Sequence, residues 1–302
     1  MVSVLIPVYG ESIDAQLASL AIEAKTLDYA VEIIVCDDAS PSPRPPAFTN
    51  YKGIEYRFIQ LKENIGRSRI RNFLAKEAKY DQLIFIDADC QPIQSRFIDT
   101  YQVKFEEDTV LVGGQLFAPE PPGSMDKMLR WNYGTNVEAR TLKDRVKAPY
   151  RSFMANNFSI SKKMIFQYPF DETHTGYGHE DTLFGVQLKN NDVNVVHIKN
   201  PIRHLCNETN QEFLEKTTEG VKNLAHLYHQ GKLDKHVRLI KIYEKLKKTG
   251  FVRLTRALMY KRQRGYYQDL LKGNAKLRKF SLYKLGEFML ELDRIKESVV
   301  QD

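Results

Sequence analysis

The chain has 302 residues, of which 42% are hydrophobic and 27% charged, an ordinary globular composition with ample material for a core. Three scattered cysteines, Cys36, Cys90 and Cys206, with no C-x-x-C pair, argue against a disulfide framework and a structural zinc site and fit a reducing compartment. The net charge of +7 is uneven: residues 232–284 hold 17 Lys/Arg against 3 Asp/Glu, which leaves −7 for the rest.

Val2 to Val8 (VSVLIPV) is a β-branched apolar run ending in Pro7-Val8-Tyr9-Gly10, which predicts a buried strand and a loop. Leu17, Leu20, Ala21, Ala24 and Leu27 then recur at helical spacing. Residues 31–36 predict a second strand, closed by Asp37-Asp38, and residues 40–46, with four prolines, an extended loop. A third strand is expected at 55–60, a helix at 66–79, and a fourth strand at 83–86 (LIFI), closed by Asp87-Ala88-Asp89. This alternation predicts an α/β fold with a mainly parallel central sheet flanked by helices. Ligands of such sheets bind beyond the carboxyl ends of the strands, where all three polar clusters fall. Further on, 110–117 and 193–198 read as strands, 119–123 as a Pro/Gly loop and 151–160 as an alternating stretch around Asn156-Asn157. Gly176 to Gly178 leads into a helix carrying Glu180 and Asp181, and from about residue 211 the chain reads as helical and basic.

Two carboxylates one residue apart, Asp87 and Asp89, suit a divalent cation, and hard oxygen ligands favour Mg²⁺ or Mn²⁺ bridging to phosphate; acids are also common in loops after strands. Asp37-Asp38 fits either acceptance of a base N–H or an Asx turn before the prolines. Gly66 opens a helix with Arg67, Arg69 and Arg71 in its first turns. A helix N-terminus and arginines suit phosphate, and Arg67 and Arg71 share a face; Arg69 reads as solvated. In Gly176-Tyr177-Gly178-His179-Glu180-Asp181 the glycines permit close approach of a ligand. The acids after them fit helix capping or general-base work. His204, like most lone histidines, reads as structural unless a metal sits at Asp89.

Taken together, over roughly residues 2–205, these motifs resemble glycosyltransferase family 2, the inverting GT-A enzymes. The resemblance implies a Rossmann-like GT-A domain with a helical C-terminal extension: residues 1–105 as the nucleotide-sugar half, 106–210 as the acceptor and catalytic half, and 211–302 as the basic extension. It implies that Pro7, Val8, Tyr9, Asp38, Arg71, Asp87, Ala88, Asn157 and Gly178 contact the nucleotide sugar. Asp38 would meet uracil and Asp87 the ribose. Asp89 and His204 would hold Mn²⁺ or Mg²⁺, Asp181 would be the base, and Glu180 would bind acceptor or donor sugar. Cys90 departs from the family, which often carries a further Asp there. The Q-x-x-R-W motif of processive synthases is missing. Phe170-Asp171-Glu172 with the G-x-E-D motif is similar to galactosyl- and N-acetylgalactosaminyl-transferring members, with Tyr177 where those have Trp.

The expected activity is therefore metal-dependent inverting transfer from a UDP-sugar to a saccharide or lipid-linked glycan acceptor, in polysaccharide or glycoconjugate biosynthesis. No stretch approaches the ~18–20 apolar residues of a membrane span and no secretory pattern is present, so a cytoplasmic location is expected. The basic segment 232–284 fits either a solvated face or peripheral contact with the anionic inner face of the membrane. A nucleotidyltransferase would carry a Gly-rich Arg/Lys signature where Pro7-Val8-Tyr9-Gly10-Glu11 stands. A nucleic-acid-binding role is opposed by the acidic body, so no nucleic acid is expected as a partner.

Overall fold

The computed structural model describes residues 1–42, 45, 54–173, 176–233 and 235–301, without the side chains of 299–301. The proline-rich loop expected at 40–46 lies partly outside the described residues. The chain forms two compact units. The first comprises Met1–Ala118, Glu138–Thr175 and Glu180–Leu205; the second comprises Pro119–Val137, Gly176–His179 and Cys206–Asp302.

The first unit is an α/β layer structure around one sheet. Its strands are β1 (Val2–Val8), β2 (Val31–Asp37), β3 (Glu55–Gln60), β4 (Gln82–Ile86), β5 (Cys90–Pro92), β6 (Thr109–Val112), β7 (Gln115–Leu116), β8 (Asn157–Ser161), β9 (Asn194–His197) and β10 (Ile202–His204). Seven of them lie in the order β3-β2-β1-β4-β8-β6-β9, and β5-β10-β7 form a small second sheet. In the large sheet every pairing is parallel except those of β8, which runs antiparallel to β4 and β6.

Strand alternation assigns the core. Val2, Val4, Ile6 and Val8 of β1 point to one face, and Leu5 points to the other. Helices α1 (Asp14–Ala24), α2 (Arg67–Glu77) and α3 (Phe97–Val103) follow in the chain. Leu17, Leu20 and Ala21 of α1 and Phe97, Ile98 and Tyr101 of α3 close the first face; Ile70, Leu74 and Ala75 of α2 help close the second. α4 (Met128–Tyr133) belongs to the second unit. α5 (Leu142–Val146), α6 (Lys162–Gln167) and α7 (Glu180–Asn190) return to the first.

The run expected as one strand at 110–117 is two, β6 and β7, broken at Gly113-Gly114. Gly114 has φ +85°, and a Cβ there would sit 2.5 Å from the Arg145 guanidinium carbon. Arg145 is buried in that bend, donating to Val112 O and Gly113 O (both 3.1 Å) and to Ile198 O (2.9 Å).

The second unit is helical: α4, α8 (Asn210–His229), α9 (Arg238–Lys248), α10 (Val252–Leu271) and α11 (Leu277–Gln301). α8 begins with a capping box in which Thr209 and Glu212 satisfy each other's backbone N–H. Leu129, Leu214, Leu270 and Phe280 meet in its core. Among the described residues no helix is long and apolar enough to cross a membrane.

Candidate active site

Strand β4 ends at Ile86 and the chain turns through Asp87-Ala88-Asp89. Asp87 N donates to Asn156 O and Cys90 N to Asp87 O, both at 3.2 Å. From α1, Gln16 Nε2 donates to Asp87 O at 2.8 Å and to Cys90 O at 2.5 Å. The backbone of the turn is thus held from two sides while its carboxylates reach other partners.

Asp87 meets Arg71, whose Nη2 lies 2.7 Å from Asp87 Oδ1 and whose side chain is 3% exposed. The same guanidinium stacks over the Phe170 ring and puts Nη1 3.6 Å from Glu180 Oε1. Arg67, one helical turn earlier, brings its Nη1 to 3.4 Å from the same oxygen. Arg71 of α2 therefore joins the turn after β4 to the first residue of α7, and Arg67 adds a second cation there. Burial alone would raise the Glu180 carboxyl. The charges of Arg67 and Arg71 overturn that and hold it below the usual carboxylate range.

Asp181, its neighbour, gains too little from the Arg71 charge to offset burial. Its Oδ1 accepts from Thr182 N at 2.6 Å and Thr182 Oγ1 at 3.2 Å. Burial, and next the Glu180 charge, push its carboxyl up to about 6. Adjacent acids with environments that move their proton affinities apart are the pattern of divided roles. His179, immediately before them, has φ +72°, and Ala39, immediately after Asp37-Asp38, has φ +56°. Such backbone in a non-glycine residue is costly and collects at functional sites.

Asp89 faces His204. β10 runs antiparallel to β5 with His204 opposite Cys90, and Leu205 N donates to Asp89 O at 2.8 Å. That register sets His204 Nε2 3.3 Å from Asp89 Oδ2. The imidazole stacks on Phe117, ring centres 5.3 Å apart. A carboxylate and an imidazole nitrogen, with Asp89 a third exposed, suit Mn²⁺ or Mg²⁺ as a partial ligand set. Among the described residues no third His, Cys, Asp or Glu completes a cluster; phosphate oxygens and water are ligands such an ion commonly adds.

At the ends of β1 and β2, Pro7 is half-buried, Val8 buried and Tyr9 54% exposed. Asp38 N donates to Val8 O, and Gly10 N to Ser40 Oγ. Val8, Gly10, Glu11, Asp37 and Ser40 line a surface hollow there. Asp37 takes the Asx-turn option: its Oδ1 accepts from Ser40 N and Oγ at 3.1 and 2.5 Å. Asp38 accepts from Ile65 N (2.7 Å) and Gly66 N (3.0 Å), one on each carboxylate oxygen. Burial raises its carboxyl, and these amides oppose that. Each oxygen keeps a second lone pair for a base N–H.

Ala88 is 7% exposed within the turn after β4. Gly178, φ +80°, belongs to the second unit and passes Gly220 closely. Asn157 is not placed to touch a ligand. It is 1% exposed, donates Nδ2 to Gly114 O and Asn200 O (2.8 and 2.9 Å), and accepts from Tyr101 (2.7 Å). The expectation of a nucleotide-sugar contact is corrected on that ground: the amide is spent bracing the bend between β6 and β7.

Three participants were not singled out from the sequence as site residues. Arg67 carried a signal, its four-residue spacing from Arg71. Gln16 shares a helix face with Leu20, a polar residue on an apolar stripe. Asn72 donates to Phe170 O and Glu172 Oε1 (3.0 and 2.8 Å) and accepts from Phe170 N (3.0 Å), so α2 clamps the segment before the acidic pair. Nothing local announces that.

A surface hollow at the strand ends, a D-x-D turn and a glutamate held by two arginines stand on a sheet of GT-A architecture. The model of the family "Glycosyl transferase family 2" matches residues 3–166, and the chain belongs to that family. The uncharacterized glycosyltransferase YfnE of Bacillus subtilis (strain 168) is 23% identical over 239 residues, 62% of this chain; the match spans 59% of that protein's length. Among solved structures, the mannosyltransferase PcManGT of Pyrobaculum calidifontis, in complex with GDP-Man and Mn²⁺, shares the fold at a TM-score of 0.56 and 12% identity, covering 97% of this chain and 85% of that one. S. aureus TarS 1-349 in complex with UDP-GlcNAc aligns with a TM-score of 0.46 at 16% identity, covering 99% of this chain and 91% of that one.

Proposed function

We propose that this enzyme moves a sugar from a nucleoside-diphosphate sugar to a hydroxyl of a saccharide or lipid-linked glycan, with inversion at the anomeric carbon, in polysaccharide or glycoconjugate synthesis. The observation that carries the reading is the Arg71 guanidinium, which joins Asp87 of the D-x-D turn to Glu180 beside Asp181. Donor-side and acceptor-side acids thereby share one electrostatic unit.

In this reading residues 1–105 bind the donor, with Pro7, Val8 and Tyr9 against the nucleoside, Asp38 on the base and Asp87 on the ribose. Ala88 and, on the resemblance, Gly178 are also assigned to the donor. UDP is the expected nucleotide on the resemblance of the Asp37-Asp38 segment. The P. calidifontis relative holds GDP-Man, so GDP-sugars belong in the same trial. Asp89 and His204 would hold Mn²⁺ or Mg²⁺, which when bound neutralises charge on the departing diphosphate.

Asp181 takes the proton of the attacking hydroxyl. A carboxyl poised at about 6 is ionised at neutral pH yet more basic than an ordinary Asp. Glu180, kept ionised by Arg67 and Arg71, accepts hydrogen bonds from sugar hydroxyls. Arg71 also adds positive charge near the leaving group.

Thermal-shift titration with UDP- and GDP-sugars, with and without Mn²⁺, tests the donor. Metal-dependent stabilisation by one sugar nucleotide is expected; indifference to every sugar nucleotide with either metal would overturn the reading.

A further inference from the structure

Within the second unit, α10 has two unlike faces. One holds buried Met259 and Leu270, with Arg256 paired to Asp293 of α11 at 2.8 Å and Gln263 donating to Tyr283 O and Glu287 Oε1. The other is open: Phe251, Leu254 and Leu258 are 55%, 68% and 44% exposed. Their spacings of three and four residues align them along one line of the helix. Lys261 and Arg262 are exposed beside this line, and the lysines that end α9 are exposed as well. Between 238 and 264 the sole acid is Glu244, and its carboxylate accepts from the Tyr228 hydroxyl.

We propose that this open face of α10 docks on an anionic lipid bilayer, with Phe251, Leu254 and Leu258 seated among the headgroups and the flanking cations on lipid phosphates. Charge complementarity selects the partner. An apolar line with Lys and Arg beside it, and a single acid between 238 and 264, is the pattern of a helix lying in a membrane interface. A nucleic acid would use the cations but give aliphatic Leu254 and Leu258 nothing to pack on. A second copy pairing through the same face would set basic surface against basic surface. Because no described helix is built to span a bilayer, this contact is peripheral. It does not depend on the glycosyl-transfer reading, and its test does not use activity.

The full chain is floated with vesicles of phosphatidylcholine alone, or of phosphatidylcholine and phosphatidylglycerol in equal parts. Binding is expected only to the phosphatidylglycerol vesicles, with release as salt screens the charges. Lys261→Gln/Arg262→Gln should weaken binding about 30-fold, and Leu254→Ser/Leu258→Ser should weaken it with all charges kept. Circular dichroism establishes that both variants stay folded. Absence of flotation at low salt, equal binding by wild type and both variants, or a salt-sensitive shift of an RNA oligomer with vesicles left unbound would overturn the proposal.

Discussion

Arg71 and Asp87 form an ion pair of 2.7 Å in which the arginine side chain is 3% exposed. A buried charge of this kind is stable only while its partner is present. Arg71→Ala is expected to lower the unfolding free energy by about 3 kcal/mol or more, because Asp87 loses its counter-charge. Asp87→Asn in the same chain should recover part of that loss. Urea denaturation of the two single variants and the double variant measures the coupling; strictly additive effects would show that the pair does not act as a unit.

Asp181 carries a distinct pH signature. Its carboxyl, pushed up to about 6, must be ionised to accept a proton. Turnover should therefore fall as pH drops through about 6 and level off above it. Asp181→Asn should slow turnover by ~10²-fold or more on general-base grounds and leave nucleotide binding intact. It should not lower the melting temperature, since burial disfavours the native charge. A pH–rate profile of both proteins, calorimetric titration of the nucleotide and a thermal melt check these four outcomes.

Asp89 and His204, 3.3 Å apart, should act together on metal dependence. Asp89→Asn and His204→Ala are each expected to raise the Mn²⁺ concentration needed for half-maximal activity by roughly 10-fold or more. Neither should alter the melting temperature measured in chelator. Activity that survives chelation in the wild-type enzyme would remove both residues from this role.

His197 provides a structural test. Its Nδ1 lies 2.9 Å from Arg145 Nη1, so Nδ1 accepts and Nε2–H donates to Pro149 O, also at 2.9 Å. Burial first, with the Arg145 charge also acting, lowers the imidazole from its ordinary value. The unfolded chain then takes up a proton near pH 6.5 that the folded one refuses. The contribution of His197 is present above that pH and is lost progressively as pH falls below it. The melting temperature of wild type should therefore drop more between about pH 7 and pH 5 than that of His197→Gln; equal slopes would contradict it.

Much of the carboxyl edge of the sheet was legible because its signals are local. Strands β1, β2 and β4 are apolar runs, the last two closed by acids, and their polar ends share one edge of the sheet because the strands are parallel. The short pieces were not legible. β5 and β10 have three residues each, too few to show a period, yet their pairing is what brings His204 to Asp89. The break at Gly113-Gly114 depends on Arg145, which arrives from a distant helix. Asn157 stood beside a functional turn in sequence but was drawn into the core by Gly114 O, Asn200 O and Tyr101, which only the folded chain reveals.

The central claim is direct displacement at the anomeric carbon with Asp181 as base. The most direct measurement is proton NMR of the first sugar released when the enzyme hydrolyses an α-linked sugar nucleotide with Mn²⁺, water standing in for the acceptor. The account predicts that the β-anomer appears first and that Asp181→Asn suppresses its release. An α-anomer as first product, or undiminished release by Asp181→Asn, would contradict it.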